Sequence, residues 1–326
     1  MSFARFMELA LYHPETGYYA RRHHRIGRTA GTDFFTAASL GSVFGELVVE
    51  ACVELLGPQR PDTCAFVEIG TEPATDGVGA SSGVLNPGTP GSPGVSHPFA
   101  SVRNIALGQP LAIPPNAVVF SNELFDAQPC HRLVCAGGHW RETGVALGAG
   151  GFTEILMPGL SPEVHGISGR LPDTAPDGYR IDLPLAAARL AVAIAAEPWT
   201  GLFVAFDYGK SWRELSEDTP AGTVRAYSRH RQSNDLLARP GEQDLTCHVC
   251  WDWIAEALTA HGFDPPTLES QEAFFVHHAA TALRRLAAAE AAGWSARKLS
   301  VMQLLHPGNM GGKFQVLWSR RRLLPV

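Results

Sequence analysis

Apolar residues along this chain recur at two spacings, one suited to helices and one to buried strands. Ser2 can cap a helix in which Phe3, Phe6, Met7, Ala10 and Leu11 share a face, and His13-Pro14 ends it. Leu40, Val43, Phe44, Leu47, Val48, Ala51 and Leu55 predict a second helix over 39–56, stopped by Gly57-Pro58. Three shorter runs, 64–69, 117–121 and 201–206, are nearly continuous in hydrophobicity, as strands covered on both faces must be. Each gives way to a small, polar or acidic residue: Gly70, Asn122-Glu123 and Asp207. Segments 133–135 and 140–147 flank Ala136-Gly137-Gly138 and predict an antiparallel hairpin. Helical spacing returns over 183–196, 251–261 and 271–292, and 314–318 suits a terminal strand. This alternation predicts an α/β fold, a parallel or mixed sheet with helices on both faces. Ligands of such sheets bind beyond the carboxyl ends of the strands.

Residues 71–98 break the alternation: they are almost all Gly, Pro, Ser, Thr and other small residues, the composition of a flexible loop. The chain has 326 residues, 45% hydrophobic and 18% charged, enough to fill one sizeable core, and a single domain over 1–326 with an N-terminal helical extension over 1–60 is expected. A net charge of -6 does not supply the clustered positive field that nucleic-acid phosphates require. The one basic cluster, Arg21, Arg22, His23, His24, Arg25 and Arg28, suits a solvated loop or a patch for an acidic partner. No run reaches the roughly 18 apolar residues of a membrane span. Glu8 interrupts the N-terminal apolar stretch and no small-residue cleavage site follows it. A soluble, cytoplasmic protein with neither nucleic-acid nor membrane partner is therefore expected, and a homodimer is left open. The six cysteines are scattered and should be free thiols; Cys247 and Cys250 lack the second ligand pair of a zinc site, so no metal is expected.

Several short motifs stand in order along the chain. They are Ser2-Phe3-Ala4-Arg5-Phe6-Met7 with Tyr12-His13-Pro14 and Gly17-Tyr18-Tyr19, then Asp33-Phe34-Phe35-Thr36 with Val43-Phe44-Gly45-Glu46, then Val67-Glu68-Ile69-Gly70. Further on come Ser121-Asn122-Glu123-Leu124-Phe125-Asp126-Ala127, Asp207-Tyr208-Gly209, Gly222-Thr223-Val224-Arg225-Ala226-Tyr227 and Gly241-Glu242-Gln243-Asp244-Leu245-Thr246. In this order and spread the chain resembles the MidA-like family of S-adenosylmethionine-dependent methyltransferases, which includes a mitochondrial arginine methyltransferase that assists assembly of respiratory complex I. The resemblance implies a doubly wound, mostly parallel sheet of the class I methyltransferase (Rossmann-like) type with an inserted hairpin. It also implies S-adenosylmethionine as cofactor and, as partner, a protein substrate presenting an arginine.

Methyl transfer is an in-line displacement that needs no covalent nucleophile. It needs a cofactor cradle and groups that orient and deprotonate the acceptor; orientation supplies about 7–11 kcal/mol in well-aligned reactions. The cofactor-binding candidates are Glu68, Gly70, Phe35 and Thr36. At Gly70 the missing Cβ lets the backbone approach the methionine moiety. Glu68 suits the amino group of the cofactor, or else a buried backbone group or Arg. Phe35 and Thr36 belong to an aromatic loop over 31–36 that can fold over a ligand, with Phe34-Phe35 covering a sulfonium through cation–π contact. The catalytic candidates are Asn122, Glu123, Asp126 and Asp207. Glu123 and Asp126 share a face if a helical turn follows, and paired carboxylates suit a planar guanidinium. Asn122 or Asp126 equally suits a helix cap. Asp207 either faces the same cleft or ends its strand in a turn. Arg225, Tyr227, Glu242 and Asp244 lie in a polar segment able to close over substrate.

One departure counts against the cofactor. In the family the first strand runs into a GxGxG turn and then a helix whose N-terminus faces the ligand. Here Gly70 is followed by Thr71-Glu72-Pro73-Ala74-Thr75-Asp76. Glu72 replaces the second glycine with a charge that opposes the cofactor carboxylate, and Pro73 restricts the turn. A βαβ unit takes roughly 30 residues, yet between Ile69 and Ala117 only 101–107 reads as a strand and no helical pattern appears. The alternative function is therefore a methyltransferase fold that has lost its cofactor and acts as a binding or assembly factor. A hydrolase using Ser121 or Cys247 lacks any elbow or triad pattern.

Overall fold

The computed structural model describes residues 1–20, 42–71, 83–85, 94–106, 108–229, 231–289, 293 and 295–322. The chain divides into two compact units. One comprises Phe35–Leu124, Val192–Tyr208 and Ala255–Val326; the other comprises Met1–Phe34, Phe125–Ala191 and Gly209–Ile254.

The first of these units is built on a six-stranded sheet whose spatial order is Thr267–Ser270, Gln315–Arg321, Thr200–Asp207, Asn116–Asn122, Ala65–Thr71 and Ser101–Ala106. The last four run parallel, and Gln315–Arg321 is antiparallel to both of its neighbours. This is the doubly wound, mostly parallel sheet expected. Ala65–Thr71 is paired on one side with Ser101–Ala106 and on the other with Asn116–Asn122, so the strand order reverses at its tip. Ligands of open α/β sheets bind at such a switch point. All three strands predicted from continuous apolar runs are present.

The helix Ser42–Leu56 lays Val43, Phe44, Leu47, Val48, Ala51 and Leu55 into a core shared with Phe66, Phe120, Val204, Phe206 and Phe275. Phe44 meets Phe206 edge-on at 5.4 Å and Phe275 at 6.0 Å. Each such ring contributes roughly 1.5–3 kcal/mol by burial and about 0.5–1.5 kcal/mol more by edge-to-face geometry. The single helix predicted over 271–292 is instead two, Gln271–His278 and Ala280–Ala289. The break at Ala279 exposes a helix start, and the Glu50 carboxylate accepts the Ala282 N–H there at 3.0 Å. A helix N-terminus favours such an anion, which sequence spacing does not register.

The second unit holds helix Phe3–Tyr12, capped as expected by Ser2, whose Oγ accepts the Arg5 N–H. Its Phe3, Phe6, Met7 and Leu11 pack with Cys130, Val224, Ala226 and Leu245. The predicted hairpin forms from His131–Ala136 and His139–Gly148, and is widened to four antiparallel strands by Gly151–Leu156 and Arg180–Leu183. Arg225–Ser228 pairs with Asp244–Thr246, joining two motifs that are separate in sequence. Among the described residues no helix is long and apolar enough to cross a membrane.

Candidate functional site

At the switch point, three side-chain atoms are buried and find no hydrogen-bond partner among the described residues: Thr71 Oγ1, Ser121 Oγ and Asn122 Oδ1. Thr71 ends the first strand, and Ser121 lies beside Ile69 in the parallel register. A buried polar atom left unpaired costs about 1–3 kcal/mol. Three of them at adjacent strand tips fit a ligand rich in hydrogen-bonding groups, as a methionine-bearing nucleoside is. Beyond the edge strand lies a cleft of about 440 Å³ lined by Arg103, Asn104, Ile105, Gln109, Pro110 and Ala112.

The neighbouring backbone is strained. Glu123 has φ 53°, a left-handed conformation that costs a non-glycine residue of order 1–3 kcal/mol and clusters at functional sites. Its N–H donates to Phe206 O at 2.9 Å, holding the exit of one strand against the tip of the next, and its Oε1 accepts the Asn122 Nδ2–H at 3.0 Å. Asp207, fully buried at the end of its strand, accepts the Tyr208 N–H on Oδ1 at 2.9 Å. Asn122 and Asp207 end adjacent strands, and Glu123 follows directly. Asp126 belongs to the other unit.

Gly70 has φ +89°, and a Cβ there would lie 2.7 Å from Leu124 Cδ1. Leu124 is thus the nearest group to the space a side chain there would take. Glu68 follows the second of its two readings: its Oε2 accepts the Val84 N–H at 2.6 Å and thereby anchors the crossover. Of residues 72–93 in that crossover only 83–85 are among the described residues. Phe35 and Thr36, the rest of the aromatic loop over 31–36, the basic cluster 21–28, and Glu72 and Pro73 lie outside the described residues.

Burial pushes the Glu68 carboxyl up to about 8, with the Val84 N–H opposing the shift only in part. The folded state then keeps a proton that the unfolded chain releases near its ordinary value of 4.5. Stability should fall from about pH 4.5 to about pH 8 and level off above, at about 1.4 kcal/mol per pH unit where the two states differ fully. Glu68→Gln, which keeps an acceptor for Val84, should flatten this slope. Urea unfolding of both proteins at pH 5 and pH 9 measures it, and parallel pH profiles would rule out a protonated Glu68.

In the second unit, motifs far apart in sequence converge. Tyr12 Oη donates to Ala127 O at 2.8 Å, Tyr19 Oη donates to Asp244 Oδ1 at 3.1 Å, and the two rings stack at 5.4 Å. Asp126 and Asp244 are 4% and 5% exposed. Tyr227 pairs with Asp244 across the sheet. Burial, then Asp244, then Asp126 hold the Tyr12 phenol far above its ordinary value, and burial, then Asp244, then Tyr12 lift Tyr19. Both phenols therefore stay protonated, and the cluster presents two buried carboxylates among neutral donors.

Sequence spacing gave no sign of the support beneath this cluster. Arg132 Nε donates to Asp182 Oδ1 at 2.7 Å, and Asp182 Oδ2 accepts the N–H groups of Thr223 (2.5 Å) and Val224 (2.9 Å). Gly222 (φ +67°) comes so close that a Cβ would strike the same carboxylate. These residues lie some fifty or forty positions apart, so no local pattern reveals them.

The model of the family described as "Putative S-adenosyl-L-methionine-dependent methyltransferase" matches residues 103–268, just over half of the chain. The chain is 25% identical over 302 residues to the protein arginine methyltransferase NDUFAF7, mitochondrial, of Danio rerio, covering 78% of this chain and 67% of that protein. Among solved structures it is similar to a superfamily member from Burkholderia thailandensis bound to S-adenosyl-homocysteine. That match has a TM-score of 0.79 and 27% identity, over 98% of this chain and 88% of the other. A native crystal structure from the same organism matches in fold with a TM-score of 0.75 and 24% identity, over 98% and 87%.

Proposed function

Because the chain belongs to this family of S-adenosylmethionine-dependent methyltransferases, we propose that it transfers the methyl group to a protein arginine. S-adenosylmethionine, when bound, supplies an electrophilic methyl on a sulfonium. The observation that supports its placement is the set of orphaned atoms Thr71 Oγ1, Ser121 Oγ and Asn122 Oδ1 at the switch point. Those groups would hydrogen-bond the cofactor, while Gly70 and Leu124 shape the strand tip beside it.

Glu123 and Asp207 would face the guanidinium, accept its N–H groups and orient one nitrogen, since carboxylates match its planar donors. Either carboxylate would take up the surplus proton of the nitrogen once it carries the methyl group. Asn122, hydrogen-bonded to Glu123, would hold that side chain in place. The reading of the acceptor as arginine rests on these carboxylates and on the likeness to the arginine methyltransferase of Danio rerio. All six cysteines are free and buried, which supports a reducing compartment such as the cytoplasm.

Calorimetric titration with S-adenosyl-homocysteine should give saturable one-site binding. Ser121→Ala and Asn122→Ala together should weaken it by roughly tenfold or more, about 1.4 kcal/mol; unchanged affinity would remove the switch-point site. Incubation with methyl-labelled S-adenosylmethionine and a set of protein substrates should place label in methylarginine after acid hydrolysis. Label on another residue type, with cofactor binding intact, would overturn the arginine reading alone.

A further inference from the structure

Glu269, His277 and His278 form a compact cluster at the free edge of the six-stranded sheet, and each offers one ligand atom within 4.8 Å of the others. Glu269 lies on the edge strand Thr267–Ser270, opposite Val316. The next residue, Ser270, caps helix Gln271–His278 by accepting the Ala273 N–H at 3.1 Å, which fixes the helix start beside the carboxylate. The helix ends in the two histidines. His277 Nδ1 lies 2.6 Å from Glu269 Oε1, and His278 Nε2 lies 3.0 Å from Oε2. Two adjacent residues thus reach one carboxylate, each through a different ring nitrogen.

We propose that this cluster binds a divalent transition metal of the zinc class, with Glu269, His277 Nδ1 and His278 Nε2 as ligands and water in the fourth position. Two imidazoles and a carboxylate with an open coordination site are a zinc ligand set. Around a tetrahedral ion the ligand atoms must separate to about 3.3 Å, given metal–ligand bonds of about 2.0–2.1 Å. The contacts of 2.6 and 3.0 Å would open by about 0.7 and 0.3 Å to reach this.

A supporting shell is in place. Trp318 Nε1–H donates to Glu269 Oε2 at 2.9 Å, and its ring stands edge-on to His278 at 5.4 Å. Such outer partners set the orientation of metal ligands and their loss costs roughly 10–100-fold in affinity. Access is also provided for: the His277 side chain is 59% exposed, whereas Glu269 and His278 are 13% and 18% exposed. An ion can enter from the His277 side and settle on two half-sheltered ligands. The bound metal would clasp the last turn of the helix to the sheet edge, a structural role separate from methyl transfer.

The test uses the full chain stripped of metal with a chelator and titrated with Co²⁺, then Zn²⁺. One Co²⁺ per chain is expected, with the intense visible bands of a four-coordinate nitrogen–oxygen site, bleached by Zn²⁺ and accompanied by a higher melting temperature. His277→Ala changes an exposed ring and should leave the fold, followed by circular dichroism, intact while weakening Co²⁺ binding at least tenfold. Trp318→Phe should weaken it about tenfold at unchanged stoichiometry. An absence of four-coordinate bands, or bands and affinity that survive both His277→Ala and Glu269→Gln, would overturn the proposal.

Discussion

Arg132→Ala should lower the free energy of unfolding by about 3–5 kcal/mol, the penalty for leaving one partner of a buried ion pair behind. The Arg132 side chain is 8% exposed and that of Asp182 is 0% exposed, with 2.7 Å between Nε and Oδ1. Without the guanidinium, Asp182 keeps only the N–H groups of Thr223 and Val224, and water has little access to make up the difference. The effect should appear as a lower urea midpoint at an unchanged m-value. Arg132→Met combined with Asp182→Asn should recover much of the loss, because the second change removes the orphaned charge. A loss for Arg132→Ala below about 1 kcal/mol would mean the pair behaves like a surface bridge.

Gly70→Val should abolish cofactor binding as measured by S-adenosyl-homocysteine calorimetry, with a fall of roughly 100-fold or more, the scale expected when a site is displaced by about 1 Å. Two causes add. At φ +89° an L side chain is strained by about 1–2 kcal/mol, and a branched one is the least tolerated there. The new Cβ would also lie 2.7 Å from Leu124 Cδ1. Leu124 directly follows Glu123, so pushing it aside moves Glu123 and Asn122, whose Oδ1 is one of the orphaned atoms. Gly70→Ala should fall between the two. Affinity of Gly70→Val within threefold of the parent would show that the strand tip is not the cofactor site.

The contacts behind these two predictions differ in how far local sequence reveals them. Gly70 is readable because a glycine ending a continuous apolar run marks a place where the backbone turns sharply or is closely approached. Its neighbour is not: Leu124 meets it only because Asn116–Asn122 pairs beside Ala65–Thr71. Glu68 shows the limit of reasoning from position alone. It stands near the strand tip, as the sequence says, yet its carboxylate is taken by the Val84 N–H of the returning crossover. The Glu123 backbone strain is likewise invisible beforehand, since nothing in Asn122-Glu123-Leu124 calls for a left-handed residue.

Local sequence determined what local physics controls. Continuous apolar runs became strands of the six-stranded sheet, the Ser2 cap and the 3.6-residue stripes became helices, and Gly137-Gly138 became a hairpin turn. These depend on side-chain periodicity and backbone freedom, which a few neighbouring residues decide. Tertiary structure alone decided the rest: the Arg132–Asp182–Thr223 support, the meeting of Tyr19 with Asp244, the split of the helix at Ala279 and the Glu269–His277–His278–Trp318 cluster. Most of these contacts join residues tens to hundreds of positions apart. Their energies come from desolvation and pairing of specific buried groups, which exist only once distant segments have been brought together.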